Sequence, residues 1–174
     1  MIKWTKVILA TAVSFLVCYY WGKFSGFTGF SFAWILNFVL MAWYTFMDSL
    51  VNWKYESSYF DSQAFEKGGT VYKFFGVHFF RKLLVWTGWE KISRKDMKIS
   101  SKRNSLELAE NKSRSSEAGH TIIFLIVGFV TILVAENLQE ALWLIILNLL
   151  LNVYPIMVQR YNRPRYRRIL QKMN

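Results

Sequence analysis

The chain contains few of the residues that build metal, disulfide and phosphate sites. Cys18 is the only cysteine among 174 residues, which excludes an intrachain disulfide and a cysteine-rich metal site. His78 and His120 are the only histidines, too few for the histidine-rich di-iron centre of a membrane hydroxylase. The chain also lacks a Gly-x-Ser-x-Gly element for a serine nucleophile and a glycine-rich phosphate loop. We therefore expect neither a metal nor a cofactor.

Apolar and aromatic residues dominate instead. Hydrophobic residues make up 53% of the chain and aromatic residues 18%, which exceeds the usual content of a soluble domain. A bilayer core about 30 Å thick needs roughly 20 residues of helix to cross it. The apolar blocks predict an all-α integral membrane protein, a single domain over residues 1–174, with about four transmembrane helices at residues 7–22, 24–47, 119–135 and 141–158.

The first apolar block has a second interpretation. Lys3 and Lys6 precede it, as in the positively charged start of a secretory signal. No small-x-small cleavage site follows, and Val17 before Cys18 fits a lipoprotein processing site poorly. We therefore interpret the block as a retained span.

Lys and Arg residues flank the apolar blocks unevenly. The segment from Asp48 to His120 holds thirteen Lys and Arg against nine acids, and the tail at residues 159–174 holds six cations and no acid. Because cations beside a span mark its cytoplasmic side, residues 48–118 and the basic tail 159–174 are predicted to be cytoplasmic, with both termini inside. The net charge of +11 does not indicate a nucleic-acid partner, since cations beside spans are attracted to anionic lipid headgroups.

An amphipathic helix is predicted at about residues 70–89, within the cytoplasmic segment. Its basic and large apolar residues fall on opposite halves of a helical wheel, which is typical of an interfacial helix lying on a membrane. Arg81 and Lys82 either form a solvated face or bind an anionic group such as the phosphates of an acyl carrier. The two halves carry Lys73, His78, Arg81 and Lys82 on one side, and Phe75, Phe79, Leu83 and Trp86 on the other.

Glu117 and His120 are the residues best suited to acid–base chemistry. Asn104 and Ser105 can cap a helix that runs through both residues into the third span. Their i, i+3 spacing puts the two side chains on one helix face, where the carboxylate can orient the imidazole. A histidine exchanges protons near neutral pH and can deprotonate a sugar hydroxyl that attacks a thioester. A surface Glu–His pair with no catalytic role, at the start of a helix, would have the same spacing.

A polar and basic string ends the last apolar block, and it reads Gln159-Arg160-Tyr161-Asn162-Arg163-Pro164-Arg165. This string resembles a motif of the glycosyl-4,4'-diaponeurosporenoate acyltransferases, small bacterial membrane enzymes that attach a fatty acyl chain to a glycosylated carotenoid acid. Glu117-Ala118-Gly119-His120 stands where the family has Glu-x-x-His, and Phe65-Glu66-Lys67-Gly68-Gly69 resembles its Phe-Glu-x-x-Gly element. The family's Trp-Lys-x-x-Leu-Pro pattern is absent, and only Arg114 keeps a basic residue just before Glu117.

The resemblance implies an acyltransferase of the bacterial cytoplasmic (inner) membrane. It implies acyl-CoA or acyl carrier protein as the donor, a glycosylated carotenoid or related glycolipid as the acceptor, and membrane lipids and other carotenoid-pathway enzymes as partners. His120 is then the catalytic base and Glu117 its orienting partner. Asn152 also fits an amide paired across the bundle, and the arginines also fit membrane-interface anchors. The expected substrate-binding residues are Asn152, Gln159, Arg160, Tyr161, Asn162, Arg163, Arg165, Arg81 and Lys82.

Two other functions fit the sequence. A non-catalytic four-span protein that binds lipid or scaffolds other membrane enzymes would have the same pattern of spans and charges. A transporter or channel subunit is less favoured, because the predicted spans carry no charged residue to form a polar pathway.

Overall fold

The computed structural model describes residues 2–88 and 103–173, and the regular secondary structure in these two stretches is helical. Four helical stretches are long and apolar enough to cross a membrane: Lys3–Ser25, Phe30–Val51, Arg103–Val134 and Leu138–Gln171. This confirms the predicted all-α class with four spans. The α-helices are α1 (Ile2–Ser25), α2 (Phe30–Val51), α3 (Val77–Trp86), α4 (Arg103–Val134), α5 (Leu138–Asn148) and α6 (Tyr154–Gln171). Short 3-10 helices lie at Ser58–Phe60 and Ala64–Lys73, and a π-helical turn lies at Leu149–Val153.

The turns between the long helices occur at glycine or at a capping side chain. Gly26 has a φ of 82°, a conformation that residues with a Cβ rarely adopt, so the second span begins at Phe30 rather than at residue 24. Between α4 and α5, the side chain of Asn137 accepts a hydrogen bond from the Glu140 backbone at 3.0 Å and caps α5. α4 itself runs unbroken through residues 117 and 120, as the sequence predicts.

The helix of the central segment is shorter than the predicted residues 70–89. Residues Ala64–Lys73 form 3-10 turns, and α3 begins only at Val77 because Gly76 has a left-handed φ of 74°. Trp89 lies outside the described residues. The large apolar side chains of α3 are divided, since Val77 and Phe80 are buried whereas Trp86 is exposed.

Contacts divide the chain, which was expected to form a single domain, into two units. We call Met1–Trp53 with Ala118–Val153 the apolar unit, and Lys54–Glu117 with Tyr154–Asn174 the charged unit. The apolar unit contains α1, α2, α5 and the second part of α4. The charged unit contains α3, α6 and the first part of α4.

The apolar unit has a continuous hydrophobic core and an apolar outer surface. Two indole groups link α1 to α2, with Trp21 donating to Ser31 Oγ and Trp43 donating to Thr11 Oγ1, each at 3.0 Å. Several large apolar side chains of α1 are exposed, as expected for a helix surrounded by lipid. The buried core consists of Phe32, Ala33, Leu36, Ile123, Val127, Leu144 and Leu147.

The charged unit has a smaller hydrophobic cluster. Tyr72, Val77 and Tyr161 are buried together, and Met157 and Val158 pack against them. This cluster holds α3 and the 3-10 segment Ala64–Lys73 against α6. The charged residues Glu66, Glu117 and Arg163 are also buried in this unit, and they belong to the candidate site.

Candidate functional site

Charged side chains of α4 and α6 pair in an antiparallel series within the charged unit. Glu110 and Glu117 lie seven residues apart on α4, and Arg160 and Arg167 lie seven residues apart on α6. Arg160 Nε is 2.7 Å from Glu117 Oε1, and Arg167 Nε is 2.7 Å from Glu110 Oε1. A seven-residue step is two helical turns, so the matched spacing keeps both pairs on facing sides of the two helices. We call Glu110, Glu117, Arg160, Arg163 and Arg167 the arginine ladder.

Arg163 occupies the centre of this ladder and is almost completely buried. Its guanidinium donates to Glu117 Oε2, to the Phe60 carbonyl at 2.9 Å and to Ser113 Oγ at 3.3 Å. Glu117 is fully buried and receives one arginine on each carboxylate oxygen. A buried charge is costly unless it is paired and hydrogen-bonded, and the Glu117 carboxylate meets both requirements.

Arg160 also connects the ladder to the 3-10 segment. Its Nη1 donates to Glu66 Oε1 at 2.7 Å, its Nε to Glu117 Oε1 at 2.7 Å, and its Nη2 to the Tyr59 carbonyl at 3.0 Å. All three guanidinium nitrogens are therefore engaged inside the protein. Arg160, predicted as a substrate-binding residue, has the geometry of a bridge between two buried carboxylates.

Glu66 is held in its ionised form by donors around its carboxylate. The Tyr72 hydroxyl donates to Oε1 at 2.5 Å, and the backbone N–H of Gln63 donates to Oε2 at 2.9 Å. Burial alone would raise the pKa of Glu66, but the hydrogen bonds from Tyr72, Arg160 and Gln63 outweigh burial and lower it. Burial and the hydrogen bond to Glu66 raise the pKa of Tyr72, so its hydroxyl keeps its proton.

Gly69 explains the spacing of the Phe65-Glu66-x-x-Gly69 element. Its φ is 86°, and a Cβ added there would lie 2.9 Å from the Arg160 carbonyl oxygen and 3.0 Å from the Tyr161 Cα. Pro164 has no N–H to donate to that carbonyl four residues earlier in α6. Glycine thus lets the segment approach the α6 backbone at the point where Glu66 reaches Arg160.

Three asparagines and His120 form a hydrogen-bonded group in the apolar unit. The amide nitrogen of Asn152 donates to Asn37 Oδ1 at 2.7 Å and to Asn148 Oδ1 at 2.8 Å, and its Oδ1 lies 3.2 Å from His120 Nδ1. The Leu151 backbone also hydrogen-bonds to the imidazole, and Pro155 leaves the Leu151 carbonyl without its usual helical donor. We call Asn37, Asn148 and Asn152 the amide chain.

Glu117 and His120 thus have different partners, since Glu117 pairs with two arginines and His120 contacts the Asn152 amide and the Leu151 backbone. The orienting role of Glu117 toward His120 stays a prediction. Asn152 is fully buried with its amide nitrogen and oxygen both engaged, which matches the interpretation of an amide paired across the bundle.

The other predicted substrate-binding residues lie in the charged unit. The Tyr161 hydroxyl is 3.2 Å from His78 Nε2, and Gln159 Nε2 donates to Ser116 Oγ at 3.2 Å. The Arg165 guanidinium lies 3.5 Å from the Tyr161 ring centroid and donates to the Tyr161 carbonyl, whereas Asn162 is half-buried. Arg81 and Lys82 line an open groove of about 410 Å³ together with His78, Val85 and Trp86.

The glycosyl-4,4'-diaponeurosporenoate acyltransferase family has a sequence profile that matches residues 56–172 of this chain. The chain belongs to this family. The matched region contains every residue of the arginine ladder as well as Glu66, Gly69, His120 and two of the three asparagines of the amide chain. Glycosyl-4,4'-diaponeurosporenoate acyltransferases transfer acyl groups, so the match assigns the chain to an acyltransferase family. No curated protein and no solved structure matches the chain significantly.

Several residues of the arginine ladder and the amide chain, and Glu66 beside the ladder, were not among the predicted site residues, although the sequence carries a signal for each. Asn37 and Asn148 are amides in apolar spans, as Asn152 is, and polar groups in such helices seek partners across a bundle. Glu66 stands in the Phe-Glu-x-x-Gly element that resembles the family. Glu110 and Arg167 are revealed by their seven-residue distance from Glu117 and Arg160.

Proposed function

We propose that this protein transfers a fatty acyl chain from a thioester to a sugar hydroxyl of a glycosylated carotenoid, glycosyl-4,4'-diaponeurosporenoate or a related glycolipid. The family match over residues 56–172 supports the acyltransferase class. The observation that carries the chemical proposal is the His120 imidazole, whose Nδ1 lies 3.2 Å from Asn152 Oδ1 among apolar helices. A hydrogen bond at one ring nitrogen orients the other for proton transfer.

In the proposed reaction His120 acts as the general base. It takes the proton of the sugar hydroxyl while the hydroxyl oxygen attacks the thioester carbonyl carbon. The tetrahedral intermediate then collapses, the carbon–sulfur bond breaks, and the thiolate leaves with the proton from the imidazolium. The products are an ester and a free thiol, and a positioned base of this kind contributes about 10²- to 10⁴-fold to the rate.

The arginine ladder has a positioning role in this proposal. The guanidinium groups of Arg160 and Arg163 donate hydrogen bonds to Glu66, Glu117 and backbone carbonyls. Their proposed role is therefore to stabilise the charged unit rather than to contact the substrate. Glu117 is accordingly proposed to fix α4 against α6 through its two arginines. Gln159, Tyr161, Asn162 and Arg165 are left as the acceptor contacts on α6.

Arg81 and Lys82 are proposed to bind the phosphates of the acyl donor. They line the same groove as His78, Val85 and Trp86, which combines cations with an apolar wall. Both acyl-CoA and acyl carrier protein present phosphate groups next to the thioester-bearing arm, and cationic side chains suit phosphate oxygens. The donor is proposed to be one of these two, with no metal and no other cofactor.

The proposed location is the bacterial cytoplasmic membrane, with four spans and both termini cytoplasmic. The six cations of the tail at residues 159–174 and the thirteen of the Asp48–His120 segment support this orientation, because such residues resist translocation. Membrane lipids and other enzymes of carotenoid synthesis are the proposed partners. Nucleic acid is not among them.

Acyl transfer by the purified protein in lipid vesicles tests the proposal. Long-chain acyl-CoA and acyl carrier protein would be offered in turn, with a glycosylated carotenoid acid or its sugar-free form as the acceptor. We expect mass spectrometry to detect the acylated product only with the glycosylated acceptor. If folded protein transfers the acyl chain from neither donor, the proposal is wrong and the non-catalytic lipid-binding function is favoured. Acylation of the sugar-free form would instead refute the sugar hydroxyl as the attacking group.

A further inference from the structure

The donor and acceptor of each hydrogen bond in the amide chain can be assigned, starting from two backbone carbonyls. Asn37 Nδ2 donates to the Ala33 carbonyl at 2.8 Å, and Asn148 Nδ2 donates to the Phe124 carbonyl at 3.0 Å. A carbonyl oxygen can only accept. Each of these two amides must therefore direct its nitrogen to the helix backbone and its oxygen toward Asn152.

These two acceptors also determine the orientation of the Asn152 amide. Its amide nitrogen has two protons, and the oxygens of Asn37 and Asn148 lie 2.7 and 2.8 Å away to accept them. Both protons are thus committed, and the Asn152 oxygen is left to face His120 Nδ1 at 3.2 Å. An oxygen acceptor at that distance requires a proton on Nδ1, because a ring nitrogen with a lone pair would repel it.

We infer that the amide chain fixes the tautomer of His120. In the neutral ring the proton lies on Nδ1 and the lone pair on Nε2, so Nε2 is the atom that accepts a proton. Asn37, Asn148 and Asn152 are positioning residues, acting on the reaction through His120. The catalytic consequence rests on the proposed function, whereas the tautomer itself rests on the contact between Nδ1 and the Asn152 oxygen.

A merely structural role for these asparagines has a different consequence. Amides in an apolar bundle can serve only to hold helices together, and an apolar residue of similar volume would then replace Asn152 at little cost. The tautomer would also not depend on them. Nitrogen NMR and a pair of substitutions separate the two roles.

Nitrogen NMR of the protein labelled with ¹⁵N-histidine measures the tautomer directly. The chain has two histidines, so the His120 signals are those that disappear in His120→Gln. At a pH where the ring is neutral, we expect a protonated Nδ1 and an unprotonated Nε2 in the parent protein. In the double variant Asn37→Leu/Asn148→Leu, Asn152 is free to turn its amide, and we expect the Nδ1 population to fall. A protonated Nε2 in the parent would overturn the inference.

Two substitutions of Asn152 test the consequence for catalysis. Asn152→Asp keeps an oxygen acceptor for Nδ1, whereas Asn152→Leu removes it at similar volume. We expect Asn152→Leu to lower kcat by about 10²-fold with little change in KM, and Asn152→Asp to retain more of the activity. The carboxylate of Asn152→Asp should also raise the pKa of the base seen in the pH profile of kcat. The reverse order of the two variants, with Leu the more active, would indicate a structural role only.

The two measurements distinguish failure of this inference from failure of the proposed function. A protonated Nδ1 in an inactive protein would leave the tautomer assignment intact and refute the acyl transfer. Active protein with a protonated Nε2 would leave the transferase function intact and refute the amide chain as its organiser. The NMR measurement on the parent needs no substitution in the amide chain, so it decides the tautomer even if an Asn152 variant fails to fold.

Discussion

The two units bury polar groups in opposite ways. In the apolar unit the buried polar side chains Asn37, Asn148 and Asn152 are neutral, and they are joined to one another by directional hydrogen bonds. In the charged unit the buried carboxylates form ion pairs, Glu66 with Arg160 and Glu117 with both Arg160 and Arg163. From this comparison we infer that the neutral amides set the position of the His120 proton, whereas the ion pairs hold α4, α6 and the segment Ala64–Lys73 together.

The energetic reason for the difference is the cost of removing charge from water. An isolated ion in a medium of low dielectric constant is costly, so a helix that crosses lipid tolerates an amide far better than a carboxylate. The charged unit can hold buried ions because the Glu66 and Glu117 carboxylates each receive more than one donor. Substitution of one buried polar residue should therefore lower the free energy of unfolding strongly in the charged unit and only slightly in the apolar unit.

Glu117→Gln tests the severe side of the comparison. Gln keeps the size of the side chain but removes the charge shared by Arg160 and Arg163, so we expect a loss of about 3–5 kcal/mol in the free energy of unfolding. Unfolding of the purified protein in detergent micelles measures it. Glu107→Gln is the matched control, because Glu107 lies on the same helix and forms an exposed pair with Arg103 at 2.8 Å. Exposed pairs contribute about 0–1 kcal/mol, and equal unfolding midpoints for the two variants would contradict the account.

Gly69→Ala sharpens the description of the charged unit. A Cβ at Gly69 meets the α6 backbone at 2.9 Å, whereas nothing lies within 4 Å of a Cβ at Gly68, which also has a positive φ. Both alanine variants carry backbone strain, so their difference isolates the contact with α6. We expect Gly69→Ala to be less stable than Gly68→Ala by about 1–3 kcal/mol in the same unfolding measurement. No difference between them would show that the segment does not depend on its approach to α6.

Asn148→Leu tests the mild side of the comparison. It removes one acceptor from the Asn152 amide and replaces it with an apolar group inside an apolar core, so the expected loss in the free energy of unfolding is about 0.6 kcal/mol. The same detergent unfolding measures it beside Glu117→Gln. If Asn148→Leu lowered the free energy of unfolding as much as Glu117→Gln, the proposed difference between the two units would be wrong.

The sequence predicts the helices better than their turns. The apolar blocks are long enough to identify all four spans, because burial of apolar residues in lipid requires about 20 of them. The turn at Gly26 and the late start of α3 after Gly76 depend on backbone conformation at single glycines, which a helical wheel does not detect. The predicted helix at residues 70–89 was too long for this reason.

The candidate residues were predicted more completely than their roles. His120, Glu117, Asn152 and Arg160 were identified from residue type, spacing and resemblance, whereas their partners lie up to 115 residues away in the chain. Contacts over such separations depend on the packing of whole helices, which local periodicity does not encode. The sequence therefore indicated Arg160 as a substrate contact, while the structure shows a bridge between Glu66 and Glu117.

Acyl transfer by His120→Gln tests the central claim most directly. Purified variant and parent would be compared in the same vesicles, with the same thioester donor and glycosylated acceptor, after helical content has shown that both are folded. The account predicts that His120→Gln loses at least about 10²-fold in kcat, while the matched His78→Gln loses far less. Turnover of His120→Gln near the parental value would contradict the account, and loss of transfer confined to His78→Gln would assign the base to His78.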